Sequence, residues 1–185
     1  VNIIETRTVG PTLGQDSKDK SVFAFTIGLG AVVLFMALFY RLSGVVADIS
    51  LMAYVVILLF VLKLLDATLT LPGVAGIILS IGMAVDANVL IFEHFKEEYL
   101  SGKTLRLSMD AGFSRAFTTI FDSNITTIIA SAVLFCFATG SIRGFAITLG
   151  LGVIISMFTA ITLTQFMTKN LIAANVIKNP WVYGI

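Results

Sequence analysis

Long apolar runs, separated by short polar stretches, dominate the chain. The runs cover residues 22–39, 43–62, 71–92, 123–142 and 144–168. A bilayer core about 30 Å thick needs about 20 apolar residues of helix, and these runs have that length. Each run is predicted to be a helix, because irregular backbone cannot face lipid and no alternation of about ten residues suggests a barrel strand. The pattern therefore predicts an all-α polytopic membrane protein with five transmembrane helices.

The segments around these runs are more polar. Residues 1–20 begin with apolar and polar positions in alternation, which favours a short strand up to Val9, followed by a polar linker. Residues 21–170 contain the five runs and are predicted to form the helix bundle, and residues 171–185 are predicted to form a tail. We expect the strand to belong to a water-soluble domain that precedes Val1.

The longest connection, residues 93–122, mixes charged residues with apolar ones such as Phe95 and Phe113. This mixture suits helix surfaces that lie at the headgroup layer. Gly102 divides the connection. We predict an extension of the third helix, a turn at residues 101–103, and an amphipathic segment that leads into the fourth helix.

The cations are distributed unevenly between the two sides of the predicted bundle. One side receives Arg41, Lys96, Lys103, Arg106, Arg115, Lys169 and Lys178. The other side receives Lys63, Arg143 and the three cations of residues 1–20. Because cytoplasmic loops carry the excess of Lys and Arg, the first side is predicted to be cytoplasmic. The N-terminal end is then outside and the C-terminal tail inside.

The composition excludes several other classes of protein. With 57% hydrophobic and 12% charged residues, the chain is too apolar for a soluble domain of this length. A net charge of +1 with scattered cations gives no surface for nucleic acid. One cysteine and one histidine provide no metal site, and no phosphate loop or Ser/His/Asp set occurs. We therefore expect no metal, no cofactor and no enzymatic activity.

Asp86 is the one carboxylate deep inside an apolar run. It lies in GMAVDANVLIFE, residues 82–93, and the run is otherwise uncharged from residue 71 to residue 92. A charged side chain at that depth costs at least about 2.5 kcal/mol, so a membrane protein that has one usually uses it to carry protons or ions. We predict that Asp86 exchanges a proton during function.

Polar residues of the fourth run are expected at the depth of Asp86. Counted inward from the same membrane face at about 1.5 Å per residue, they reach it within a few ångström. They are Asn124, Thr127 and Ser131, which share a face, with Ser123 and Thr126 beside it. Hydroxyl and amide groups can hydrogen-bond to either form of a carboxyl group, so we predict a proton relay that also includes Asn88. A permanently protonated Asp86 that only joins two helices stays open as the alternative.

Small residues on the third helix are predicted to let a neighbouring helix approach closely. They are Gly76, Ser80 and Gly82. Close approach would screen Asp86 from lipid. Asp48, near the start of the second run, is shallow enough to reach the interface and is predicted to be structural.

Four stretches resemble the SecD/SecF family of protein-export membrane proteins. They are ETRTVGPTLGQDS at 5–17, LPGVAGIILSIGMAVDANVLIFEHFKEE at 71–98, AGFSRAFTTIFDSNITTIIASAVLF at 111–135 and TGSIRGFAITLGLGVIISMFTA at 139–160. The AVDAN stretch resembles the SecD members rather than the SecF members. The resemblance implies membership of the resistance-nodulation-division superfamily, and it makes the five spans the second to sixth of a six-helix bundle. Residues 1–16 would then be the last strand and exit linker of a periplasmic domain.

The resemblance also implies a function. It points to an accessory subunit of the Sec protein translocase in the bacterial inner membrane, which uses the proton gradient to help export preproteins. SecF, the SecYEG channel and the preprotein would be its partners, and Asp86 its proton-responsive residue. The preprotein would be gripped through the periplasmic domain.

Two other functions stay open, and a third is disfavoured. The chain could be half of a small-molecule or lipid exporter of the same superfamily, or a structural scaffold of the translocon in which Asp86 only joins helices. An intramembrane aspartyl protease needs two carboxylates that share a proton, whereas only Asp86 is deep.

Overall fold

The computed structural model of the chain describes residues 11–173, and that part consists of helices. They are α1 (Pro11–Leu64), α2 (Leu71–Leu100), α3 (Leu105–Phe137), α4 (Ser141–Phe158), a π-helical segment (Thr159–Thr164) and α5 (Gln165–Ala173). The last three follow one another without a break. The all-α prediction is confirmed for the described residues. The predicted strand up to Val9 and residues 174–185 of the predicted tail lie outside them.

The first helix, α1, is divided at Arg41. The backbone of Arg41 is non-helical, with φ 50° and ψ −118°, so residues 11–40 and 42–64 form two arms. A Cβ atom on Gly44 would clash with the backbone carbonyl of Met36, although residues eight apart in a straight helix are separated by about 12 Å along the axis. The chain therefore turns back on itself at Arg41.

The first arm begins earlier than the sequence pattern suggested. Residues 11–20, predicted to be a polar linker, form the first turns of this arm. Pro11 suits the first helical position, because the N–H group that proline lacks would have no partner there anyway. At the other end of this arm, the Tyr40 hydroxyl donates a hydrogen bond of 2.9 Å to the Glu93 carboxylate of α2.

Within the described residues, four helical stretches are long and apolar enough to cross a membrane. They are Asp19–Leu64, Leu71–Leu100, Leu105–Phe137 and Ser141–Ala173. At about 1.5 Å per residue, the first stretch would measure roughly 70 Å if it were straight, more than twice the hydrocarbon thickness of about 30 Å. Residues 105–122, predicted as an amphipathic segment that leads into a span, are simply the first half of α3.

Short, well-defined turns connect α2, α3 and α4. Thr70 caps α2, because its hydroxyl oxygen accepts a hydrogen bond of 3.1 Å from the backbone N–H of Gly73. The predicted turn after α2 is present at residues 101–104, where Gly102 has a φ of 94°. Gly140 precedes α4 with a φ of 61°. Positive φ is accessible to glycine without steric cost, so both glycines suit these turns.

The middle of the bundle is α2, which contacts α1, α3 and α4. Gly76 faces α4, since a Cβ atom there would clash with the Thr148 hydroxyl. Ser80 is fully buried against Gly152 of α4, and its hydroxyl accepts a hydrogen bond of 2.7 Å from Tyr54 of α1. Gly76 and Ser80 therefore lie where two helices approach closely, as expected from their small size.

Candidate functional site

The helix α2 presents Asp86 and Asn88 on opposite sides. Residues two positions apart on a helix are separated by about 200° of rotation, so Asp86 and Asn88 cannot share a face. Asp86 is exposed on the side of α2 that faces α3, whereas Asn88 is buried, at 3% exposure, in the interior of the bundle. The two residues that the sequence grouped in one relay therefore have different surroundings.

Asp86 lines an open cleft of about 200 Å³ between α2 and α3. The lining residues are Met83, Asp86, Ala87 and Leu90 from α2, and Ile120, Ser123, Asn124 and Thr127 from α3. The carboxylate thus shares a cleft with one amide and two hydroxyl groups. These neutral groups can donate to a charged carboxylate or accept from a protonated one.

The polar groups of α3 are anchored to their own helix. The amide nitrogen of Asn124 donates to the Ile120 carbonyl at 2.8 Å, and the Ser123 hydroxyl donates to the same carbonyl at 3.1 Å. Asp86 forms no hydrogen bond or ion pair with another residue between positions 19 and 173. Its carboxylate is therefore available to a proton or to a group from another chain.

The structure changes two expectations about the surroundings of Asp86. Within residues 19–173 Asp86 is exposed, so the expected screening of this side chain from lipid by a closely packed neighbouring helix is absent from this part of the chain. Gly82 is exposed, and a Cβ atom there would meet nothing within 4 Å, so Gly82 is not a packing residue of this bundle. The physical reason is that Gly82 and Asp86 lie one turn apart on a face of α2 that α3 borders only across the open cleft, and no helix between positions 19 and 173 packs directly on it.

The predicted partners of Asp86 divide into two groups. Asn124 and Thr127 line the cleft as expected. Thr126 is exposed and does not line it, because it is rotated by about 100° from Thr127 on the helix. Ser131 lies against Gly150 of α4, where its hydroxyl donates to the Ile128 carbonyl at 2.8 Å.

Asn88 is hydrogen-bonded to the π-helical segment. The Thr164 hydroxyl donates a hydrogen bond of 2.8 Å to the side-chain oxygen of Asn88, and the Asn88 amide donates to the Ala84 carbonyl at 3.2 Å. Thr164 is fully buried. This buried bond joins the opposite side of α2 to the helix that continues into α5. Sequence reasoning missed Thr164, because 76 positions separate the partners and threonine is common in apolar helices.

We expect the Asn88–Thr164 bond to contribute measurably to stability. A double-mutant cycle of Asn88→Ala and Thr164→Val in the full-length protein should give a coupling energy of about 0.6 kcal/mol, and at most about 1.7 kcal/mol, in thermal or chemical unfolding, the average and the maximum for interhelical hydrogen bonds in membranes. Thr159→Val is the matched control, since its buried hydroxyl bonds only to carbonyls of its own helix, Ile155 and Ser156. A coupling as large between Asn88 and Thr159 would contradict the assignment.

The remaining polar candidates have other surroundings. Arg143 lies over the ring of Phe135, with its guanidinium carbon 4.3 Å from the ring centre, which suits an anchor at the membrane interface. Asp48 is half-buried, and one of its carboxylate oxygens is buried with no hydrogen-bond partner among the described residues. Among the described residues no group of three His, Cys, Asp or Glu side chains could hold a metal ion.

An all-helical bundle with this much apolar surface is an integral membrane protein. The family described as protein export membrane protein SecD/SecF, C-terminal, matches residues 1–174. The chain belongs to this SecD/SecF family, on its SecD side.

Individual relatives agree with this membership. Protein translocase subunit SecD of Acidaminococcus fermentans is 66% identical over 184 residues, which cover 100% of this chain and 44% of that protein. Protein translocase subunit SecD of Dictyoglomus turgidum is 59% identical over 178 residues, which cover 96% of this chain and 45% of that protein. The chain therefore spans less than half the length of these relatives.

A solved structure shows the same fold. The crystal structure of SecDF from Thermus thermophilus, described as a translocon-associated membrane protein, is similar with a TM-score of 0.89 and 41% sequence identity. The similarity covers 92% of this chain and 24% of that one. A second structure, SecDF in a super-membrane-facing form, is similar with a TM-score of 0.85 and 40% identity.

Proposed function

We propose that this chain is the membrane half of a proton-driven accessory subunit of the Sec protein translocase, and that Asp86 carries the proton. The observation that supports this most directly is the cleft between α2 and α3, where Asp86 lies with Asn124, Ser123 and Thr127. The site moves protons and helices and makes or breaks no covalent bond of a substrate. It needs no metal and no cofactor.

The proposed coupling runs through α2. A charged Asp86 attracts hydroxyl and amide donors of α3 and water, whereas a neutral one tolerates an apolar neighbour, so proton exchange changes how the two helices pack. On its other side, α2 is joined to the π-helical segment through Asn88 and Thr164. A movement of α2 driven by Asp86 would therefore also move the helix Ser141–Ala173.

The proposed partners cover the exposed side of the cleft. Asp86 forms no ion pair with a cation within residues 19–173, and α3 is the least buried of the four spanning stretches. We propose that SecF packs on this side and supplies the cationic group, while the SecYEG channel and the translocating preprotein contact other parts of the complete protein. The SecDF chain with the same fold is about four times as long as the matched part, which leaves room for such a second half.

The proposed location is the bacterial inner membrane, with five spans, the N-terminal end outside and the C-terminal end in the cytoplasm. The reversal at Arg41 supports two crossings by α1. We expect a membrane-impermeant maleimide, added to intact spheroplasts, to label Lys20→Cys and Asp66→Cys and not Lys103→Cys, in a background carrying Cys136→Ala. If α1 crossed only once, Lys20→Cys and Asp66→Cys would lie on opposite sides and only one would react.

The experiment that tests the function compares export with and without a proton gradient. Cells or spheroplasts that depend on the full-length protein should export a secreted reporter faster when the gradient is present, and this gain should require Asp86. A scaffold that only holds the translocon together would show the same gain with or without the acidic side chain.

A further inference from the structure

A second cleft, of about 240 Å³, lies between the beginning of α3 and α5, away from Asp86. It is lined by Arg106, Met109 and Asp110 from α3 and by Lys169, Asn170, Ile172 and Ala173 from α5. None of these residues belongs to the proposed relay. The cleft combines cationic side chains with an apolar surface.

The charge of this second cleft is positive. Lys169 forms an ion pair of 2.8 Å with the Asp110 carboxylate. Arg106 is exposed and forms no hydrogen bond or ion pair with another residue between positions 19 and 173. Two cations therefore face one carboxylate, and the guanidinium group of Arg106 keeps all its donors. A guanidinium group matches the geometry of a phosphate, which it can bind through two parallel hydrogen bonds.

The depth of the cleft places it among lipid headgroups. At about 1.5 Å per residue, Lys169 lies roughly 42 Å along its helix from Ser141, and Arg106 lies roughly 46 Å along α3 from Phe137. Ser141 and Phe137 are both at the opposite end of the bundle, beside the turn that joins α3 to α4. Since the hydrocarbon layer is only about 30 Å thick, a cleft at this distance lies in the headgroup layer.

The apolar part of the lining favours a lipid over a free anion as the ligand of this cleft. Ile172 is half-buried and Ala173 is exposed in the lining, so both offer apolar surface to a ligand, whereas Met109 is almost fully buried, at 1% exposure. A glycerol backbone and the first acyl carbons can pack on such a surface, whereas inorganic phosphate gains nothing from it. We propose that this cleft binds the phosphate group of an anionic phospholipid, held by Arg106 and Lys169.

Binding of short-chain phosphatidylglycerol to the full-length protein in detergent, measured by native mass spectrometry, tests this proposal. Arg106→Gln and Lys169→Gln should each weaken binding by about fivefold, the usual effect of one cation near an anionic lipid surface. Asp110→Asn should strengthen it by a similar factor, because the variant removes a repulsive charge and frees Lys169. Lys96→Gln is the matched control, since it removes a cation at the same end of the bundle that does not line the cleft, and it should leave the affinity unchanged.

Several results would overturn the proposal. Equal affinity for phosphatidylcholine would remove the anionic requirement. Unchanged binding in both the Arg106→Gln and the Lys169→Gln variants would exclude this cleft as the site. Inorganic phosphate that binds as tightly as phosphatidylglycerol, with the same dependence on Arg106, would assign the cleft to a free anion instead of a lipid. The substituted side chains are exposed or half-buried, so each variant should fold, and an unchanged melting temperature would verify this.

Discussion

Replacing Asp86 by asparagine in the full-length protein should abolish the part of preprotein export that depends on the proton gradient. Asparagine has nearly the same shape and can still hydrogen-bond to Asn124 or to a hydroxyl group, but it cannot gain or lose a proton at neutral pH. The variant should insert and fold normally, because the Asp86 side chain is exposed and forms no bond within the described part of the chain. The measurement is the export rate of a reporter with and without an ionophore that collapses the gradient.

Matched variants separate proton exchange from a general loss of charge. Asp122→Asn removes an exposed carboxylate of the neighbouring helix that does not line the cleft, and this variant should keep the full response to the gradient. Asp86→Glu keeps a titratable group and should keep part of the response. A normal response in Asp86→Asn would refute the proton relay and would favour a scaffold in which Asp86 only contributes to helix packing.

Much of the bundle follows from the sequence because the length of an apolar run is a local property. A run of about 20 apolar residues must be helical in lipid, whatever its neighbours are. The break at Arg41, where a polar residue follows Tyr40, and the turn after α2, where Gly102 has a positive φ, are also set by the local sequence. Depth along a helix is also local, which explains why Asn124 and Thr127 reach the cleft of Asp86.

The sequence could not predict in this way which neighbouring helix, if any, covers each face of α2. Small residues on α2 indicate that some helix approaches closely, but Gly76 packs on α4 whereas Gly82 packs on nothing within the described residues. The exposure of Asp86 depends on which side of α2 the chain leaves uncovered, and that choice is made by the tertiary arrangement.

The direction in which a side chain points around a helix axis can be predicted from its position, and the predicted relay of Asp86 and Asn88 did not take this direction into account. Asn88 follows Asp86 by two positions and must face the other way, so its separation from the cleft could have been derived from the sequence. The hydrogen-bond partner of Asn88 could not be derived from the sequence, because the bond to Thr164 depends on how the π-helical segment packs against α2.

Replacing Gly112 by alanine should destabilise the bundle. Gly112 of α3 is buried against the backbone of α2, and a Cβ atom there would lie 2.7 Å from both the Cα and the nitrogen of Phe95. Backbone atoms cannot rotate away as a side chain can, so the two helices must move apart. Overpacking of this kind costs about 1 to 3 kcal/mol. We expect a lower melting temperature of the full-length protein in detergent.

Gly82→Ala is the control for this prediction, since it introduces the same methyl group into α2 with no atom within 4 Å of it. Alanine is the better helix former by about 1 kcal/mol, so this variant should be as stable as the parent protein or more stable. Because α2 and α3 also form the walls of the Asp86 cleft, Gly112→Ala should weaken the export response to the proton gradient as well. If both alanine variants melted at the temperature of the parent protein, the close contact between Gly112 and Phe95 would not exist in the membrane-embedded bundle, and the geometry of the cleft would need revision.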